Sequence, residues 1–119
     1  MFKIKVISTF NAAHRLRAYK GKCERLHGHN WKVKAVVCSQ TLDKLGMVMD
    51  FKILKKRLDT VLAYLDHGYL NDKKEFKKTN PTSENIAKFI FDKLSKNVKD
   101  LRSISVWETD TSCATYTKD

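Results

Sequence analysis

Trp31-Lys32-Val33-Lys34-Ala35-Val36-Val37 alternates from its first residue, with Trp31, Val33, Ala35 and Val37 on one parity and two lysines on the other. A period of two marks a half-buried strand, because successive side chains of extended backbone leave opposite faces. Working outward toward the N-terminus, Phe2, Ile4, Val6 and Phe10 also share one parity, which predicts a second strand over Phe2 to Phe10. The link between the two, His14 to Asn30, holds three of the four histidines and Cys23. If the strands pair as a hairpin, His14, just past the end of the first, is carried toward His27 and His29.

Beyond Asp50 the period changes. Phe51, Leu54, Leu58, Val61, Leu62 and Leu65 recur every three or four residues while Lys55, Lys56 and Arg57 face outward. That pattern predicts an amphipathic helix with Asp50 as its N-cap. A second helix follows Asn80-Pro81-Thr82-Ser83-Glu84, where the proline suits a first helical turn and Ile86, Phe89, Ile90 and Leu94 form the apolar stripe. Ile104-Ser105-Val106-Trp107-Glu108 and Ala114-Thr115-Tyr116 read as two closing strands. The order ββααββ predicts an α+β fold: one domain over residues 1–119, a four-stranded antiparallel sheet, and two helices on one face. Apolar residues remain on the other sheet face, which points to assembly into an oligomer.

Composition narrows the function classes. An apolar share of 42% with 10% aromatics is that of a folded globular chain. No apolar run reaches membrane-spanning length, and MFKIKVISTF lacks a signal peptide's apolar stretch, so a cytoplasmic protein without a membrane partner is expected. Three scattered cysteines (Cys23, Cys38, Cys113) imply no disulfide framework and leave Cys23 as a thiol. Cys38 and Cys113 read as small strand residues. The net charge of +11 admits three readings: a solvated lysine-rich surface, attraction of a small polyanionic substrate, or nucleic-acid binding. Aromatics interleaved with the basic residues, which the last reading asks for, are missing.

The chemistry concentrates in few residues. His27 and His29, two apart in extended backbone, point the same way and can converge on one ion, with His14 as a third ligand. Three histidines without a fourth protein ligand suit a catalytic zinc with a position for water or substrate. Cys23 is either a fourth ligand or a separate thiolate, whose ionisation a nearby metal would favour. His67 follows Asp66: the carboxylate orients an acid–base imidazole, or the histidine simply ends a helix before Gly68. Glu108 shares parity with Ile104 and Val106, so its carboxylate sits at the end of an apolar face, where it meets a ligand's donors or reaches solvent. Thr82, Ser83 and Glu84 read first as helix-capping residues.

Six motifs in register carry a resemblance. They are Phe10-Asn11-Ala12-Ala13-His14-Arg15-Leu16; Cys23 through His27-Gly28-His29-Asn30; Gly46-Met47-Val48-Met49-Asp50-Phe51; Leu65-Asp66-His67 with Leu70-Asn71; Asn80 to Asn85; and Glu108-Thr109. Over nearly its full length the chain resembles the 6-pyruvoyltetrahydropterin synthase / 6-carboxytetrahydropterin synthase family. The resemblance implies the tunnelling fold, with trimers closing a barrel and two trimers stacking into a hexamer. It implies one zinc ion per subunit on His14, His27 and His29, Cys23 as catalytic base, and Asp66 with His67 as a proton-transferring pair supplied across a subunit interface. It further implies that Glu108 anchors the pterin, that Thr82 and Ser83 line its pocket, and that Glu84 belongs to the same motif.

The implied substrate is 7,8-dihydroneopterin triphosphate. Only three residues separate Cys23 from His27, a spacing like that of the carboxytetrahydropterin branch of queuosine precursor synthesis. That branch is a lyase releasing acetaldehyde and triphosphate. The alternative is the pyruvoyl branch of biopterin synthesis; a folate-serving branch carries glutamate in place of the cysteine, and here Glu24 follows Cys23. From a different class, the rival is a non-catalytic basic module that holds zinc structurally and binds nucleic acid.

Overall fold

A computed structural model describes residues 1–18 and 25–118. Two long strands, β1 (Phe2–His14) and β2 (His27–Ser39), pair antiparallel without a slip from Phe2↔Ser39 to His14↔His27. Helix α1 (Phe51–Leu65) follows, then a two-residue strand β3 (Gly68–Tyr69), two short 3-10 turns, helix α2 (Ser83–Leu94), and strands β4 (Leu101–Thr109) and β5 (Ser112–Thr117). The sheet order is β3-β1-β2-β4-β5. The four antiparallel strands expected from the sequence are β1, β2, β4 and β5; β3 adds a parallel rung pair, Ala12↔Gly68 and Ala13↔Tyr69, at the edge.

Parity determines which side chains meet the helices. Val6, Phe10, Trp31, Val33, Ala35, Val37, Ile104 and Val106 are buried beneath α1 and α2 in one core. Phe10 and Trp31 stack with ring centroids 5.9 Å apart, and the Trp31 indole N–H donates to the Ala12 carbonyl at 3.1 Å, so this large ring is buried without an unpaired donor. From α1, Leu54, Leu58, Leu62 and Leu65 are buried, each contributing about 1.5–3 kcal/mol of apolar transfer free energy. Ser8 donates to Asp59 across the β1–α1 contact. Asp50 caps α1 by accepting from the Lys52 N–H at 2.8 Å, as its position in the sequence predicts.

Two details differ from the sequence expectation. Phe51 belongs by period to the apolar stripe but is 58% exposed, because the packed stripe begins one turn later at Leu54. Pro81 lies outside α2 rather than in its first turn: Thr82 is the N-cap, its hydroxyl accepting from the Asn85 N–H at 3.1 Å. Pro81 is thereby left with a carbonyl free of helical bonding, and that carbonyl turns toward His14. Among the described residues no helix is long and apolar enough to cross a membrane.

Candidate metal centre and the residues around it

The β1–β2 ladder places His14 directly opposite His27, with His29 two residues further along β2 on the same face and opposite Ala12. The His14 Nδ1–H donates to the Pro81 carbonyl at 2.8 Å, and the His27 Nδ1–H donates to the Arg25 carbonyl at 2.7 Å. A carbonyl can only accept, so both rings carry their proton on Nδ1 and present Nε2 lone pairs, and these two nitrogens lie 2.9 Å apart. The third, His29 Nε2, is buried without a hydrogen-bond partner. Two opposed lone pairs and an unpartnered buried ring nitrogen make an arrangement that no protein donor satisfies among the described residues, and that a cation would satisfy.

Glu108, at the end of β4, completes the group. Its Oε1 lies 2.8 Å from His14 Nε2, 3.4 Å from His29 Nε2 and 4.0 Å from His27 Nε2. One ligand atom from each of the four residues lies within 4.8 Å of all the others. His14 is 1% exposed, and its edge meets Trp31 with centroids 4.9 Å apart. Burial pushes its pKa below the ordinary histidine value; the Pro81 bond and Glu108 oppose that shift, and the neighbouring histidines add to it. Burial lowers His29 in the same way, again against the pull of Glu108. The carboxylate alone would make His14 an imidazolium in an ion pair, but desolvation is the larger effect, and the ring is held neutral as a metal ligand must be. Parity had placed Glu108 at the end of an apolar face; the structure adds that this end is the histidine cluster.

Asp66 and His67 do touch. The His67 Nδ1–H donates to Asp66 Oδ2 at 2.8 Å, while Asp66 Oδ1 accepts from the Asn11 N–H at 2.8 Å. The His67 backbone N–H closes the arrangement on the Asn11 carbonyl, at 2.6 Å. His67 sits at φ +57°, a left-handed conformation that disfavours side chains with a Cβ, and these bonds hold it there. The Asn11 N–H is the chief cause of an Asp66 pKa below the usual carboxylate range, with His67 assisting. The His67 side chain is 79% exposed and stands outside the metal-capable group. With His29 it lines a shallow cavity of about 400 Å³ over Asn11, Gly28 and Asn30.

The remaining expected residues divide. Thr82 caps α2 and follows Pro81, the acceptor for His14, so the α2 N-terminus adjoins the cluster. Ser83 is half-buried in the first turn, and Glu84 is exposed. Cys23 lies outside the described residues. Two asparagines without a role in the sequence reading clamp the chain leaving β1. Asn71 accepts from the Arg15 N–H and donates to the Arg15 carbonyl, both at 2.9 Å; Asn80 does the same to Arg17 at 2.9 and 3.0 Å. Each side-chain amide imitates a strand partner, and only their place within two of the quoted motifs could have singled them out.

Known proteins resemble this chain over most of its length. Residues 3–119 match the family model described as 6-pyruvoyl tetrahydropterin synthase. The 6-carboxy-5,6,7,8-tetrahydropterin synthase of Synechocystis is 46% identical over 114 residues, covering 91% of this chain and 87% of that protein. The dihydroneopterin monophosphate aldolase of Pyrococcus furiosus is 39% identical, covering 85% of this chain and 84% of that protein. Among solved structures, the 6-pyruvoyl tetrahydropterin synthase of Caenorhabditis elegans superposes with a TM-score of 0.90 at 34% identity, covering 99% of this chain and 96% of that one.

Proposed function

The chain belongs to the 6-pyruvoyl tetrahydropterin synthase family, and we propose that within it the protein is a zinc-dependent 6-carboxytetrahydropterin synthase, its residues 1–119 working as one domain. The reaction is conversion of 7,8-dihydroneopterin triphosphate to 6-carboxy-5,6,7,8-tetrahydropterin with release of acetaldehyde and triphosphate, serving queuosine precursor synthesis. The observation that carries this reading is the convergence of three Nε2 atoms, one of them buried and unpartnered. The name of the 46% identical relative and the three-residue interval between Cys23 and His27 support the branch.

His14, His27 and His29 would hold the zinc ion, which when bound supplies a Lewis acid for the hydroxyl oxygens of the substrate side chain. The protein's own residues do the rest. Cys23, as thiolate, takes a proton from the substrate side chain. Asp66 fixes the His67 tautomer with Nδ1 protonated, leaving Nε2 as the atom that takes and returns protons. The exposure of this pair suits supply to the site of a neighbouring subunit in a hexamer built as a dimer of trimers. Glu108 accepts from the N–H groups of the pterin, and Thr82 and Ser83, with Glu84 beside them, line the pterin pocket. The basic surface favours arrival of the triphosphate in the cytoplasm.

The test is product analysis by mass spectrometry after zinc-loaded protein is incubated with dihydroneopterin triphosphate. 6-Carboxytetrahydropterin with acetaldehyde supports the proposal. Pyruvoyltetrahydropterin alone moves the protein to the biopterin branch, the reading that the 0.90 TM-score to a pyruvoyl synthase favours. Unchanged substrate, together with steeply salt-dependent RNA or DNA binding, sinks both and leaves the non-catalytic module.

A further inference from the structure

The sheet face turned away from the helices carries its own constellation. Lys3 and Lys5 on β1 and Lys34 on β2 have the parity opposite to the core residues; Ser103 on β4 and Thr117 on β5 pair across on the same face. With Arg102, beside the register shift between β2 and β4, they surround a cavity of about 480 Å³ floored by Val36. That size lies within the roughly 300–1,000 Å³ of small-molecule sites. The outward positions of this face, residues 3, 5, 7 and 9, 32 to 38 by twos, 103 to 107 by twos and 113 to 117 by twos, include no Asp or Glu. Among the described residues none of Lys3, Lys5, Lys34 and Arg102 takes part in an ion pair. Lys5 faces Val36, so Lys34 is its diagonal neighbour, about 7–8 Å away at the backbone. Four like charges gathered at this spacing repel one another, and every polar side chain around the cavity can donate a hydrogen bond.

We propose that this open-face cavity is a second binding site, for a short inorganic polyphosphate, held by Lys3, Lys5, Lys34 and Arg102 with the Ser103 and Thr117 hydroxyls as further donors. A chain of phosphates matches the cluster better than a single anion does, because it distributes negative charge over the same several ångströms as the cations. The site is distinct from the histidine cluster of the same chain. His14 lies nine residue steps along β1 from Lys5, about 30 Å at strand rise, and the cluster lies on the opposite, helix-covered face. The proposal therefore does not rest on the pterin reading, and each can fail without the other.

The experiment is calorimetric titration of the full-length protein, freed of metal on a chelating resin, with sodium tripolyphosphate. Saturable binding is expected to include one ion per chain that is weakened about fivefold by Lys5→Gln and by Lys34→Gln and lost in the double variant, whereas any triphosphate held at the pterin site persists in all three variants. Binding should be unchanged in His27→Ala, which excludes capture through residual metal. It should also be unchanged in Lys55→Gln/Lys56→Gln on the outer face of α1, which lowers the net charge equally. Circular dichroism melts confirm that the variants are folded, and Arg102→Gln provides an independent route if either lysine variant is not. Equal weakening by the α1 control would overturn the proposal, as would wild-type affinity in the Lys5/Lys34 variant. A short RNA or DNA oligomer that outcompetes tripolyphosphate at equal ionic strength, and is lost in the same variants, would replace it with a nucleic-acid surface.

Discussion

His29→Ala separates a metal ligand from a structural histidine, because in the metal-free protein the ring gives little to the fold. Its Nε2 is buried without a partner, a desolvation penalty of about 1–3 kcal/mol. Removing the ring relieves that penalty while losing edge contacts to His14 and Trp31 of comparable size, so the metal-free variant should lie within about 1 kcal/mol of wild type. His14→Ala is the contrast. It removes a 1% exposed ring, its bond to Pro81 and its contact with Trp31, a loss of about 3 kcal/mol or more.

Unfolding entropy of about 2.1 cal/mol/K per residue gives about 0.25 kcal/mol/K for 119 residues, so His14→Ala should lower the metal-free Tm by about 12 °C or more. If the cluster binds zinc as proposed, zinc at one hundred times its Kd should add about 2.7 kcal/mol, or about 11 °C, to the wild type. In both variants that increment should largely disappear. Differential scanning calorimetry with and without zinc reads all the quantities. A His29→Ala protein that keeps the full zinc increment, or whose metal-free form is as damaged as His14→Ala, would refute the assignment of Nε2 as a ligand atom.

Four further outcomes follow from the geometry. Cys23→Ala should abolish turnover and keep zinc, whereas His27→Ala should lose both; metal analysis beside the product assay decides, and zinc loss in Cys23→Ala would make the thiol a ligand. Glu108→Gln should retain zinc and raise KM for the pterin if the carboxylate serves the ring, whereas loss of metal would make Glu108 a fourth ligand. Asn71→Ala removes two bonds to the Arg15 backbone and should cost about 1–3 kcal/mol in urea unfolding, with turnover falling as the chain leaving β1 loosens. Asp66 has a folded pKa below its unfolded value, so its stabilisation is present above about pH 4 and lost as pH falls through the lowered folded value. Acid melts of wild type and Asp66→Asn should therefore differ at neutral pH and converge in strong acid.

The parts of this fold that repeat were legible in the sequence. Trp31 to Val37 and Phe2 to Phe10 alternate over the middle of β2 and most of β1, and the α1 leucines recur over about three turns, so side-chain period reports secondary structure directly. His14, His27 and His29 could be grouped because an antiparallel hairpin has little freedom in which ends meet. What stayed hidden depends on pairings between distant segments. A two-residue strand such as β3 is too short to show a period, and it forms because Asn11 captures the His67 N–H and Asp66 captures the Asn11 N–H. The Asn71 and Asn80 clamps span 56 and 63 residues, and nothing local to an asparagine tells an exposed amide from one that completes a distant backbone. Proline's preference for a first helical turn points to Pro81, whereas the hydroxyl of Thr82 places the cap one residue later.

The position of the histidines on the last rung of a thirteen-residue ladder has a kinetic meaning. Ribbon ends open more readily than ribbon middles, and His14↔His27 is an end, with Phe10 and Trp31 stacked four rungs inward. A bound ion there acts as a clasp on a zipper. Its exchange with solution is governed by brief separation of the final rungs rather than by disruption of the core, so amide hydrogens of Ala12 and His29 should slow on loading while those near Val6 and Ala35 hardly change.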